Sequence, residues 1–447
     1  MTEGVTAVGS GSVLEQALKK ARWRLIPLLA VCYLIAYMDR VNISFAAESM
    51  NRQLHFSPKI YGLGAGLFFL SYALCEIPSN RLLLRFGARR WIARIMLTWG
   101  LLAAAMVFIR TPASFYCLRL LLGVAEAGYF PGAVFYLSLW FPAEHRARSI
   151  SLFYIAFPLS NVVMGGLAGV LLRQDGKLGM AGWQWLFLLE ALPAIVMSVV
   201  IWFGLPDGPA NAAWLSEEEH EALEKALGGQ QARAVEAKRA AAHGDGLGQV
   251  LRSPKVWGVG AFFLCMLGAS YAVTFSLPLV LRSATGWTIG RVGGLVAGFG
   301  VVGAVTMVLW ARHSDLQRER RWHVAGPMAL MAVALAAAGL LHLAGWWSAF
   351  ALLVSFGSYC AMQGPVLSVG TSVLPGRAAA TAIAAINTCG IIGGFLGPYW
   401  MGWMREATGG YALGIGALAV PCLLAAGLML RLVPASGAHR ERVEAIG

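Results

Sequence analysis

Charge is scarce in this chain. Asp, Glu, Lys and Arg make up 13% of its 447 residues, against roughly 25% in a soluble domain. That shortage excludes an ordinary water-facing surface over most of the molecule. Cysteine is sparse too, and scattered. The seven, at 32, 75, 117, 265, 360, 389 and 422, sit in apolar stretches without any CxxC spacing. They give neither a disulfide framework nor a zinc site and read as small buried hydrophobes. The sequence has no GxxxxGK[ST], no HExxH and no Gly-x-Ser-x-Gly, so no enzyme signature is present and no cofactor or metal is called for. An ATP-driven pump would need a soluble nucleotide domain, and the longest polar stretch, 205–255, is too short for one. The first 18 residues lack a basic region followed by an apolar core, so no cleaved signal peptide is expected.

What the chain has instead is apolar length. Apolar residues make up 58% of it and mean hydropathy is +0.65. Twelve spans can be drawn, near 25–47, 60–80, 91–109, 114–138, 149–172, 183–204, 256–281, 290–312, 323–342, 346–371, 378–402 and 410–433. Each is long enough to cross about 30 Å of hydrocarbon. The 16 Trp and 12 Tyr suit anchoring at the bilayer interface. The expected fold is therefore an all-α polytopic membrane protein of 12 transmembrane helices.

The formal net charge of +13 could be taken for a nucleic-acid footprint, but its distribution argues otherwise. With the N-terminus inside, the inner loops and span ends hold 25 of the 35 Lys and Arg, and the outer ones hold 8. The positive-inside rule puts both termini in the cytoplasm, and no nucleic-acid partner is expected. The remaining two, Arg40 and Arg119, lie within spans.

One polar segment, 205–255, divides the spans six and six. The expected layout is a cytoplasmic tail at 1–24, lobes at 25–204 and 256–433, a cytoplasmic linker between them and a second tail at 434–447. Ser216 and Glu219 have capping-box spacing, which predicts a short helix in the linker. The two halves echo each other. Arg85-Phe-Gly87-Ala-Arg89-Arg90-Trp91 follows the second span, and Ser314-Asp315-Leu-Gln-Arg318-Glu-Arg320-Arg321-Trp322 follows the eighth. Internal repeats of this kind build many secondary transporters, with a site at the lobe interface reached alternately from either side.

Four ionisable residues occupy positions a bilayer should exclude: Asp39 and Arg40 in the first span, Arg119 and Glu126 in the fourth. Each is costly there unless it faces a protein interior or water, so each is a functional candidate. Arg119 and Glu126 are seven residues apart and share a helix face with Gly123 and Phe130. Tyr33, Tyr37, Arg40 and Ser44 share another, while Asp39 is turned about 100° away toward Cys32, Ala36, Ile43 and Ala46. An Arg offers a fixed fork of donors for a carboxylate, whereas carboxyls in a cavity of low dielectric exchange protons. Arg40 and Arg119 are thus expected to hold an organic anion, and Asp39 and Glu126 to carry coupling protons. The competing reading is four residues that only pair with one another. Further polar candidates are Tyr72, Glu76, Ser160, Asn161, Gln363, Asn387 and Thr388, each a cavity ligand or interhelical glue. Glu190 reads as structural, and His313 and His342 as interfacial. Gly165-xxx-Gly169 and the glycines of 390–397 permit close helix contact.

These residues resemble the major facilitator superfamily, in particular its anion:cation symporter branch of phthalate permease-like proteins. The resemblance covers nearly the whole chain and rests on several stretches. They are Tyr37-Met-Asp39-Arg40-Val-Asn42-Ile, Glu76-Ile-Pro78-Ser79-Asn80 and Gly87-Ala-Arg89-Arg90-Trp91-Ile-Ala-Arg94, followed by Arg119-Leu-Leu-Leu-Gly123-Val-Ala-Glu126-Ala-Gly128-Tyr-Phe-Pro131-Gly132. Trp140-Phe-Pro142 with Arg146-Ala-Arg148, and Gly182-Trp183-Gln184-Trp185, complete it.

The resemblance implies two pseudo-symmetric six-helix lobes and proton-coupled uptake of a small carboxylate, such as tartrate, 4-hydroxyphenylacetate or a sugar acid, by a monomer in a bacterial inner membrane. It implies proton coupling at Asp39 and Glu126 and substrate binding at Arg40, Arg119, Tyr72 and Asn387, to which Tyr37 and Gln363 are added as cavity candidates. Arg85, Gly87, Arg89, Arg90 and Asp315 match the cytoplasmic gating motif. The chain departs from that motif at Leu84, where the family usually has an acid. An exchanger or exporter of the same fold, or a transporter-like solute sensor, is the alternative.

Overall fold

The computed structural model describes residues 3–230, 232, 235, 236, 239, 246–340, 345–371, 373–374 and 378–433. His342, the 434–447 tail and part of the linker lie outside them. The described residues hold twelve helical spans long and apolar enough to cross a membrane. Their starts carry local signals. Ser57, Thr111 and Ser253 each accept a backbone N–H of the first turn through their side chains, and Pro58, Pro112 and Pro254 follow directly. The cap satisfies an orphan donor and the proline presets φ where its missing N–H costs nothing.

In chain order the first half comprises α1 (Glu3–Leu54), α2 (Pro58–Phe86), α3 (Ala88–Ala105), α4 (Pro112–Glu126), α5 (Tyr129–Trp140), α6 (Ala143–Tyr154), α7 (Ala156–Leu172) and α8 (Gly182–Gly204). The linker carries α9 (Glu217–Leu227) and α10 (Leu247–Arg252). The second half comprises α11 (Pro254–Thr285), α12 (Ile289–Gln317), α13 (Arg321–Leu340), α14 (Gly345–Thr371), α15 (Ala378–Thr408), α16 (Ala412–Ala417) and α17 (Ala419–Leu432). Leu74, Phe203 and Leu424 are each at least 70% exposed, an outer surface suited to lipid rather than water.

The halves meet along two close crossings. Helix α7 lies on α12 so tightly that a Cβ on Gly165 would stand 2.3 Å from the Gly293 carbonyl oxygen, and α2 meets α15 in the same way at Gly62 and Gly402. Only glycine fits such an approach. At the end of the bundle away from the linker, further contacts join the halves. Tyr61 donates to the Phe275 carbonyl at 2.8 Å, the Lys59 N–H donates to Glu406 at 3.2 Å, and Glu48 of α1 pairs with Arg282 of α11.

The linker docks on the first half. Ser216 and Glu219 form the expected capping box on α9, and Glu219 also holds Lys20 of α1 at 2.7 Å. Burial of Glu219 works against its charge, but the Lys20 ammonium and the Ser216 backbone N–H together hold its carboxyl below the ordinary value.

Candidate functional site

The fourth span is not one helix. Helix α4 stops at Glu126, Ala127 takes an extended ψ, Gly128 adopts a left-handed conformation with φ 89°, and α5 starts at Tyr129. The freed Ala127 carbonyl accepts the Ser79 hydroxyl at 2.6 Å, and Ser79 in turn accepts the Trp91 indole N–H at 3.0 Å. Glu126 therefore stands at the carbonyl end of a half-helix inside the membrane region, a position that needs a cation beside a charged carboxylate. Arg40 of α1 supplies it. Its Nη2 donates to Glu126 Oε1 in a pair where Glu126 is 1% exposed and Arg40 11%. The second Glu126 oxygen and Arg40 Nε have no hydrogen-bond partner.

Arg40 faces a central cavity, and aromatic rings surround its guanidinium. Tyr37 lies 4.8 Å away, Phe68 5.3 Å and Tyr72 5.6 Å, each within cation–π range. Its Nη1 reaches across to the Tyr271 hydroxyl of α11 at 3.3 Å, and Tyr37 and Tyr271 hydroxyls lie 3.3 Å apart. Asn387 closes another side, donating to both Glu76 oxygens at 3.0 and 3.1 Å. Tyr33, Phe69, Phe130, Tyr154 and Tyr359 also line this cavity. Both halves of the chain contribute walls.

The other candidates lie elsewhere. Asp39 is turned away from Arg40, and its oxygens accept Trp99 Nε1 of α3 at 2.7 Å and Asn42 Nδ2 at 3.2 Å. Arg119 is 2% exposed and does not line the cavity. It donates to the Gly64 and Ala65 carbonyls of α2, both at 3.2 Å, behind the Phe68 ring. Gln363 touches the cavity wall indirectly, accepting the Tyr154 hydroxyl at 2.9 Å. Ser44, Ser160 and Thr388 donate to carbonyls of their own helices, as does the Asn161 amide, and serve as local glue. Among the described residues no cluster of His, Cys, Asp and Glu could hold a metal.

At the linker end, Gly87 takes φ 85° between α2 and α3, and Arg89 pairs with Asp207 at 3.4 Å. Asp207 is an acid that sequence reasoning passed over, and it stands beside the motif whose usual acid is replaced by Leu84. Arg85 stacks over Phe86, and Asp315 pairs with Arg320 in its own loop. His313 does more than sit at an interface. It bonds His323 at 2.7 Å, and His323 bonds Glu319 at 2.6 Å. Tyr271 and Trp99, which meet Arg40 and Asp39, carry no mark of it in the sequence. Nothing in an isolated span marks which aromatic will meet a charge from another helix.

A family model described as Major Facilitator Superfamily matches residues 29–398. A candidate tartrate transporter of Agrobacterium vitis is 42% identical over 94% of this chain and 92% of its own length. A quinolone resistance transporter of Acinetobacter baumannii is 34% identical over 97% and 98%. Among solved structures, the xylose transporter XylE of Escherichia coli in a partially occluded inward-open conformation superposes with a TM-score of 0.73 at 17% identity, over 94% of this chain and 99% of that one.

Proposed function

The chain belongs to the major facilitator superfamily of membrane transporters, and on that premise we propose that it takes up a small organic carboxylate together with protons. The Arg40–Glu126 ion pair carries the reading. One guanidinium cannot serve two carboxylates equally well. While Glu126 is ionised it occupies Arg40. A proton on Glu126 removes its charge and releases the donor fork to a carboxylate in the cavity. Substrate and proton thus support each other's binding, the reciprocity that symport requires. Tyr37, Tyr72, Tyr271 and Asn387 contact the rest of the solute. Asp39 exchanges protons behind the cavity. Arg119 acts at a distance, holding α2 in place and adding positive field.

In this reading the protein works as a monomer in the bacterial inner membrane with both termini in the cytoplasm, and the contacts at Glu48, Tyr61 and Glu406 close its outer end. The layout is the one expected above, with lobes at 25–204 and 256–433 joined by the linker. Arg85, Gly87, Arg89, Arg90 and Asp315 belong to the inner gate, where Asp207 takes the place of the acid missing at Leu84. A second reading is export of an organic anion through the same site, weighed because a relative named as a quinolone resistance transporter matches nearly the whole chain. Uptake of a panel of carboxylates into proteoliposomes, with the proton gradient directed inward and then outward, tests both. Gradient-driven accumulation of an acid supports the proposal. If no acid moves protons, the coupling is wrong.

A further inference from the structure

The mechanism above leaves one buried acid unused. Glu190 lies on the inward stripe of α8 with Trp183, Phe187, Ala194 and Ser198. It is 5% exposed, and neither of its carboxyl oxygens has a hydrogen-bond partner. The groups that face it are few. From α1 come Asn42 and Asp39, and the Asn42 amide donates to Asp39, as does the Trp99 indole of α3. Residues 156–172 of α7 and 106–108, also packed on α8, contain no ionisable side chain. No cation compensates it: Arg40 is held by Glu126, Arg119 by backbone carbonyls, and Arg94 of α3 stacks on Trp91.

A carboxylate in that position would be an unpaired buried charge beside a second acid, which costs far more than a neutral carboxylic acid. Asp39, by contrast, has a neutral donor on each oxygen and can stand as an anion. We propose that Glu190 is a proton-binding site outside the central cavity, coupled by its buried charge to Asp39, so that the two acids share a single negative charge. The neutral Glu190 lets Asp39 stay ionised and free to accept a proton. When Asp39 accepts one, Glu190 becomes able to release its own to water, and no bond other than O–H is made or broken. Giving this pair a part in transport rests on the proton-symport reading; its shared charge does not.

Infrared spectroscopy of the purified full-length protein tests it without transport. At neutral pH the wild type should show the C=O band of a protonated carboxylic acid that Glu190→Gln lacks and Glu190→Asp retains at a shifted frequency. In Asp39→Asn, which removes the neighbouring charge, the Glu190 band should disappear at a lower pH than in the wild type, by a shift of about one unit or more for interacting acids. An unchanged spectrum in Glu190→Gln would overturn the site, and an unmoved titration in Asp39→Asn would overturn the linkage. Failure of the wild type to couple protons in proteoliposomes would sink the symport reading and leave the infrared result standing.

Discussion

Arg40 and Glu126 reach each other from different helices across the membrane region, and each keeps one polar atom unused. A pair built only for stability would be expected to satisfy both ends. The free atoms are Arg40 Nε and Glu126 Oε2, where a proton can sit.

Arg40→Lys keeps the charge and the attraction to Glu126 but loses the planar fork. Hydrogen bonds to charged groups are worth about 1.5–3 kcal/mol, so the Kd for the transported acid should rise roughly 10- to 100-fold. Thermal-shift titration measures this, and the unliganded Tm should stay near the wild-type value. Unaltered affinity would remove Arg40 from the site.

Glu48 is held between Arg52 at 2.7 Å and Arg282 of the other half. Arg282→Gln should loosen that end of the bundle. Part-exposed ion pairs contribute about 0.2–1 kcal/mol, so a cysteine placed at Ser276, in the cleft lined by Glu48 and Tyr61, should react with maleimide up to about fivefold faster. An unchanged rate would mean that the glycine crossings alone keep this end shut.

Docking of α9 on α1 should depend on acid pH. The Glu219 carboxyl is held below its ordinary value in the folded protein, so its pairing with Lys20 stabilises the docked linker fully above the unfolded carboxyl pKa of about 4.3. That contribution fades as pH falls through the lower folded value. Hydrogen exchange at residues 217–227 should therefore be flat from neutral pH down to about 5, after correction for intrinsic rates, and accelerate below about 4. Lys20→Ala should accelerate it at neutral pH as well.

Much of this was legible in the sequence because membrane spans are written in long apolar runs. All twelve could be drawn, although α1 continues well past the predicted ends of its span. The 100° step of a helix separates Asp39 from Arg40, and Ser216 with Glu219 marks the start of α9. The break at Ala127–Gly128 was not anticipated, although Gly128 and Pro131 stood in an apolar run as its local signal. As intramembrane cations Arg119 and Arg40 look alike in the sequence, yet the Gly64 and Ala65 carbonyls claim Arg119. Burial alone does not say whether an arginine meets a ligand or a backbone. Tyr271 and Asp207 depend wholly on which distant segments pack together, and a single sequence carries no record of that.

The central claim is that the proton on Glu126 governs whether Arg40 is free for the anion. Glu126→Gln mimics the permanently protonated state, so the decisive measurement compares two assays on that variant in proteoliposomes. Exchange of labelled for unlabelled carboxylate should continue, while accumulation driven by an inward proton gradient should fall to the level seen without a gradient. Accumulation equal to the wild type would contradict the account.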